Sequence, residues 1–194
     1  MNITENSSFE DQLFTGLKCL NIDLSDKSFK NCTFKQCDFT GSDLSMTFLS
    51  ECAFDSCNLS LVKLEKTKLS DVKFQSCKLI GIDFSIVNIL ILNMGFESST
   101  LKECNFSLLQ LKDTTFSGCT IHACDFYETD LSGADFSNTD LKESIFEETN
   151  LSKANFKDAK NYSIHLSRNK IKQAVFSMPE AITLLKTLDI NIEM

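Results

Sequence analysis

The stretch Cys119 to Cys124 reads CTIHAC, two thiols flanking an imidazole, and the chain holds nine cysteines and two histidines in 194 residues. Such a cluster raises two chemistries: a soft-metal site, or a thiolate activated by a histidine base. A third set is electrostatic. Between Asp125 and Asn150 stand Asp125, Glu128, Asp130, Asp135, Asp140, Glu143, Glu147 and Glu148, with Lys142 the only base. Those eight acids and one base carry seven of the chain's eight net negative charges. Which of these groups can converge depends on the elements that hold them.

The elements are set by a five-residue period. From Phe9 in steps of five to Ile89, every position is Phe, Leu or Ile except Cys19. The register jumps by two within ILNMGFE and resumes from Phe96 to Phe156. A helix would scatter those positions over all faces. A strand would flip each successive one to the opposite face. The residue two before each centre is small or compact, as in Cys32, Thr47, Cys57, Ala134 and Thr149. The residue just before the centre is often Asp, Asn or Lys. Each unit thus has a large and a small inward position and three outward ones: one short extended side and a turn. After Phe96 the centres alternate Phe with Leu or Ile, so residues 20 apart match in type. Four sides close a square coil, and coils stack at about 4.8 Å.

Placed on this frame, eight of the nine cysteines occupy the small inward slot, where a thiol acts as a small hydrophobe. Cys119 and Cys124 point inward on adjacent sides, while His122 and His165 point out. No metal, cofactor or catalytic residue is expected, and hence no enzyme. Thr129, Thr139 and Thr149 point in, which removes the outward threonine rows of an ice-binding surface. The acidic balance argues against direct nucleic-acid binding. No apolar run approaches the length of a membrane span, and MNITENSSFEDQLF has no signal-peptide pattern, so the expected location is the cytoplasm. The expected layout is a flexible segment over 1–8, the array over 9–176 with its break near 90–96, and a tail over 177–194. In the tail, Ser177 and Glu180 read as a capping box opening a helix from about Met178 to Thr187, with a short strand over Asp189–Ile192. Ile182, Leu184, Leu185 and Leu188 are its apolar residues.

TDLSG, ADFSN, TDLKE, SIFEE, TNLSK and ANFKD resemble the pentapeptide-repeat family, whose consensus is A(D/N)LXX. The resemblance implies an all-β fold, a right-handed quadrilateral β-helix with a short C-terminal helix for capping and dimerisation. The tail FSMPEAITLLKTLDINI resembles that of the Qnr and MfpA type, which protects bacterial type II topoisomerases. This implies a homodimer formed through Ile182, Leu184, Leu185 and Leu188. It also implies a DNA-mimicking partner for DNA gyrase or topoisomerase IV, protecting it from quinolones or a peptide toxin. The eight acids from Asp125 to Glu148 are then the contact surface. The alternative is a scaffold for an unrelated protein. The register carries no long loop insertion, only the two-residue step near Met94–Phe96.

Overall fold

A centre residue, its two neighbours and a tight turn build each side of the coil. The turn closes with a hydrogen bond from the small-slot amide to the preceding centre's carbonyl, as from Ser42 N to Phe39 O at 2.9 Å and from Ala134 N to Leu131 O at 3.0 Å. Its second central residue takes positive φ almost every five residues, from Asp11, Asn21 and Asp26 through Glu128, Asn138 and Glu148. That is the signature of a type II turn, which explains the Asn, Asp and Gly found there. At Gly133 (φ 74°) an added Cβ would collide with the Asp113 carboxylate one coil away.

Stacking these sides gives an all-parallel right-handed quadrilateral β-helix, described over residues 3–185, 188 and 190 of this computed structural model. Register is 20 residues per coil, with Phe9 beside Phe29, Phe14 beside Phe34 and Asp125 beside Ile145. We number the faces in chain order. Face 1 carries Phe9, Phe29, Leu49 and Leu69, face 2 Phe14 and Phe34, face 3 Cys19 and Phe39, face 4 Leu24 and Leu44. On face 2, nine rings run unbroken from Phe14 to Phe176, each stacked on the next with centroids between 4.7 and 5.2 Å apart. Face 4 adds a second ladder of Phe84, Phe106, Phe126 and Phe146. In this half, Phe therefore stacks on two opposite faces, as the alternation predicts.

The small inward slot is polar in a controlled way. Thr129, Thr139 and Thr149 donate to the carbonyls of Phe106, Phe116 and Phe126, each 23 residues back, at 2.8–2.9 Å. The thiols of Cys52, Cys57 and Cys77 take the same partners on earlier coils, the carbonyls of Phe29, Phe34 and Phe54. Cys is thus a weak-donor equivalent of Thr here. All nine cysteines are free and buried.

The two-residue step is the sum of two larger changes. Face partners across the break are Leu69 with Leu92 and Phe74 with Phe96. Eight residues therefore separate Phe84 from Leu92 where five is the rule, and four separate Leu92 from Phe96. The corner between faces 4 and 1 gains a bulge over 85–91, and the next corner loses its turn. The register reading placed Ile89 inward. It lies outside, 66% exposed, and Val87 is tucked into the core instead. The lost turn leaves an open cleft of about 350 Å³ lined by Lys73, Asn93, Gly95 and Lys112.

Both ends are covered. Residues 3–8, set apart from the array on sequence, pack on the first coil: Ile3 is buried, and the carbonyls of Thr4 and Asn6 accept from Lys27 Nζ. At the other end the predicted capping box is not formed. Ser177 Oγ accepts from Asp158 N at 3.0 Å and Glu180 Oε1 from Asn161 N at 2.7 Å. The last coil leaves backbone donors with no coil beyond to accept them, and these side chains serve those donors instead. The helix is shorter than expected, Ile182–Leu185. Residues 186–187 and much of the expected strand (189 and 191–192) lie outside the described residues.

Asn161, where the five-residue step from Phe156 would put the next centre, is exposed, and Tyr162 and Ile164 fill the core beside it. Among the described residues the buried Tyr162 hydroxyl has no hydrogen-bond partner, and burial followed by the nearby Glu180 charge pushes its pKa up to about 12. Removing an orphaned buried hydroxyl recovers its desolvation cost. Tyr162→Phe is therefore expected to stabilise the protein by about 1 kcal/mol, read as a raised urea midpoint. An unchanged or lowered midpoint would show that the hydroxyl is satisfied in solution.

Candidate functional site: the acidic corner

The eight acids separate into two kinds. Asp125, Asp130, Asp135 and Asp140 each precede a centre, one on each of the four faces. Each accepts from the backbone N–H two residues on: Tyr127, Ser132 and Ser137 at 2.9–3.0 Å and Lys142 at 3.3 Å. This is the Asx turn that starts each corner, and it makes these four carboxylates part of the fold. Asp130 and Asp135 also accept from Asn150 and Asn155 on the next coil. Asp140 is the most engaged. It accepts from Asn161 Nδ2 and lies 3.5 Å from Lys160 Nζ and 3.4 Å from His122 Nε2. Partial burial works against its charge, yet those hydrogen bonds and cations hold its carboxyl below the usual range.

The glutamates are different. Glu128, Glu143 and Glu148 are exposed and sit at the positive-φ turn position. A β-carbon is tolerated there at some cost and no hydrogen bond is required, so the fold does not dictate their sign. Glu128 and Glu148 stack on the corner between faces 4 and 1, with Glu147 beside them, and Glu143 lies one corner earlier. Glu147 meets Arg168 at 3.1 Å, and Glu143 lies 3.6 Å from Lys142. The crowding of three carboxylates is registered by Tyr127. A hydrogen bond to Glu128, then the charges of Glu128, Glu148 and Glu147, raise its pKa to about 12. The sequence reading missed Lys160 and Arg168 as counter-charges, and His122 as a neighbour of Asp140, because they come from neighbouring coils, 20 or so residues away.

The other candidates separate cleanly. Cys119 and Cys124 lie in the core and His122 outside it. Among the described residues no three His, Cys, Asp or Glu side chains gather as metal ligands do. No described helix is long and apolar enough to cross a membrane. In the tail, Leu184 joins the core and closes the end of the coil, while Leu185 and Leu188 are 39% and 46% exposed and Ile182 is half-buried.

Comparison with solved structures places this architecture. A trypsin-treated variant of QnrB1, a plasmid-mediated fluoroquinolone resistance protein, superposes with a TM-score of 0.63 at 17% identity, covering 96% of this chain and 99% of that one. HetL, involved in heterocyst differentiation regulation in the cyanobacterium Nostoc, gives 0.55 at 16% identity over 87% of this chain and 84% of its own. No curated protein matches. The model of the pentapeptide repeat region matches residues 27–106 and 99–176. With the five-residue coil traced from end to end, this chain belongs to the pentapeptide repeat family.

Proposed function

We propose that this chain is a non-enzymatic binding protein. Its acidic corner imitates DNA on a bacterial type II topoisomerase, DNA gyrase or topoisomerase IV, and protects it from quinolones or a peptide toxin. The observation that carries this is the trio Glu128, Glu147 and Glu148, whose carboxylates share one corner of a narrow rod and act together on Tyr127. The fold likeness to a fluoroquinolone resistance protein supports it. Asp125, Asp130, Asp135, Asp140 and Glu143 add to the field around that corner. The setting is the bacterial cytoplasm, and the working form is a homodimer closed through the tail.

The test is charge reversal. Glu128→Lys, Glu147→Lys and Glu148→Lys each add two charges, so the net charge moves from −8 to −2. Lys66 and Lys153 already occupy the same positive-φ position, so lysine fits the turn. Loss of the exposed Glu147–Arg168 pair costs no more than about 1 kcal/mol. Binding to purified gyrase is expected to weaken at least tenfold, along with quinolone protection in a supercoiling assay. Wild-type binding should fall steeply with salt, since screening shortens from about 10 Å at 0.1 M. Asp11→Lys, Glu51→Lys and Asp71→Lys make the control, with the same charge change at the same turn position on another corner. Equal losses in both triples would leave net charge as the cause. A wild type that neither binds nor alters gyrase at low salt would favour a scaffold for an unrelated partner, the alternative that HetL's fold also supports.

The tail carries its own prediction. Leu185→Glu with Leu188→Glu places carboxylates on the exposed part of the segment and spares Leu184 in the core. Tail-mediated dimers should dissociate, as seen by light scattering, with the thermal transition retained. Dimers that persist would make the tail a cap only.

A further inference from the structure

The corner between faces 4 and 1 has an order along the rod that the acidic trio alone does not explain. Its turn positions run Asp26, Met46, Lys66, then the bulge, then Leu108, Glu128 and Glu148, with Arg168 stacked below Glu148. Lys63 and Lys68 flank Lys66 on faces 4 and 1, and Asp125 and Asp130 flank Glu128 in the same way. The middle is apolar and fully presented: Leu90 is 89% exposed, Ile89 66% and Leu108 62%.

The bulge that presents them is built rather than loose. Val87 is anchored in the core, and Asn88 N donates to Thr67 O on the coil above at 2.9 Å. The Asn88 side chain accepts from Leu90 N at 3.0 Å. A turn pinned at both levels thus holds two branched aliphatic side chains out in water. Clustered exposure of this kind marks a contact surface, and its rigidity lowers the entropic cost of using it.

Apart from Met46, which comes opposite Glu148, the pattern is self-complementary. Consider a two-fold axis perpendicular to the rod, passing between the bulge and Leu108. It brings Lys66 of one copy opposite Glu128 of the other, Lys63 opposite Asp125 and Lys68 opposite Asp130. It also sets Asp26 opposite Arg168, and Leu90 opposite Leu108. Each match occurs twice, as an isologous contact requires. Glu65, the one acid among those lysines, comes opposite Tyr127.

We infer that a second copy of this chain docks antiparallel along this corner, lysine coil on acidic coil, with Ile89, Leu90 and Leu108 packed about the axis. This goes beyond the topoisomerase reading: it adds the lysine coil and the apolar bulge, and it shares Asp125 and Asp130 with that reading. The two also share Glu128, so pairing along the corner hides part of the acidic surface from any other partner. The described part of the tail, 177–185, caps the end of the rod, away from the bulge and Leu108.

The experiment is sedimentation of the full-length protein at low salt. Lys66→Glu and Glu128→Lys should each weaken self-association about tenfold or more, and together restore it, because the reversed pair attracts again. Both substitutions fit the turn: Glu51 and Glu103 hold the same position elsewhere, as does Lys153. Leu90→Asp should remove one association step, while Leu13→Asp, also well exposed at 68% but on face 2, should leave the assembly unchanged. The inference is overturned if Leu90→Asp sediments like wild type. It is overturned equally if the double reversal associates no better than the single ones.

Discussion

Phe116→Ala is expected to lower the unfolding free energy by about 3–5 kcal/mol. Phe116 is fully buried and lies near the middle of the nine-ring ladder. Its ring is parallel to Phe136 at 4.9 Å and nearly so to Phe96 at 5.2 Å. It also meets Phe106 and Phe126 edge-on at 6.0 and 5.9 Å. No neighbour can collapse into the space, because each is fixed at the coil spacing by its own backbone ladder. In a solenoid, stability is a sum of coil terms and nearest-neighbour terms, so truncation weakens two interfaces at once. Phe176, at the end of the same ladder, stacks on Phe156 on one side only, meets Tyr162 at a tilt at 5.6 Å, and is partly exposed. Phe176→Ala should therefore cost clearly less. Equal urea midpoints for the two variants would mean that ring stacking is not the source of the cost.

The ladder was legible in the sequence because a five-residue step lets one side chain type report one position. Phe96, Phe116, Phe136 and Phe156 announce a shared face without any knowledge of the turn. The turn type is harder to read. Its positive-φ position accepts Glu128, Lys153 and Leu108 as well as Asn and Gly, since a whole coil of parallel hydrogen bonds outweighs about 1 kcal/mol of backbone strain. Ile89 misled for a related reason. Its type and spacing satisfy the register, but Val87 reaches the core first and Asn88 then turns the chain outward. A two-residue step could as well be one insertion. Only the pairing of Leu69 with Leu92 and Phe74 with Phe96 resolves it into a bulge and a missing turn.

The acidic segment was half legible. Counting charges found the most acidic stretch, and the repeat explains why four of its aspartates are there. What linear reading could not weigh is the column partner. Asp140 draws on Lys160 and His122, and Glu147 on Arg168, all from adjacent coils. The same blindness hid the lysine coil facing the acidic coil across an apolar middle. Lys63, Lys66 and Lys68 stand 62 residues before Asp125, Glu128 and Asp130, a relation that becomes spatial only once the break is placed. Ser177 and Glu180 show the reverse error: the spacing matched a capping box, but the end of the coil had stronger need of their oxygens.

Alkaline pH is expected to destabilise the protein through its buried thiols. Burial raises Cys52 from an ordinary 9.0 to about 11 and Cys119 to about 12. The folded chain keeps these protons after the unfolded chain has released them. Their stabilising effect is therefore full below pH 9 and is lost as pH rises through 9 toward those folded values. Each such group contributes a slope of about 1.4 kcal/mol per pH unit in that window. At pH 10 the two together cost on the order of 3 kcal/mol relative to pH 8. Cys57 and Cys124 are raised first by donating to Cys77 and Cys104 and then by burial, but the same contacts lower Cys77 and Cys104, so these two pairs offset internally. The measurement is the urea midpoint at pH 8 and pH 10 for wild type and for Cys52→Ser with Cys119→Ser. Ser42, Ser99 and Ser144 already fill this slot elsewhere, so serine fits it and does not titrate. The double variant should lose clearly less stability than wild type over the interval, the remainder coming from Cys19 and Cys37, which burial also raises. Parallel losses in both proteins would place the alkaline sensitivity in tyrosines and lysines instead, and would remove the thiols from the account.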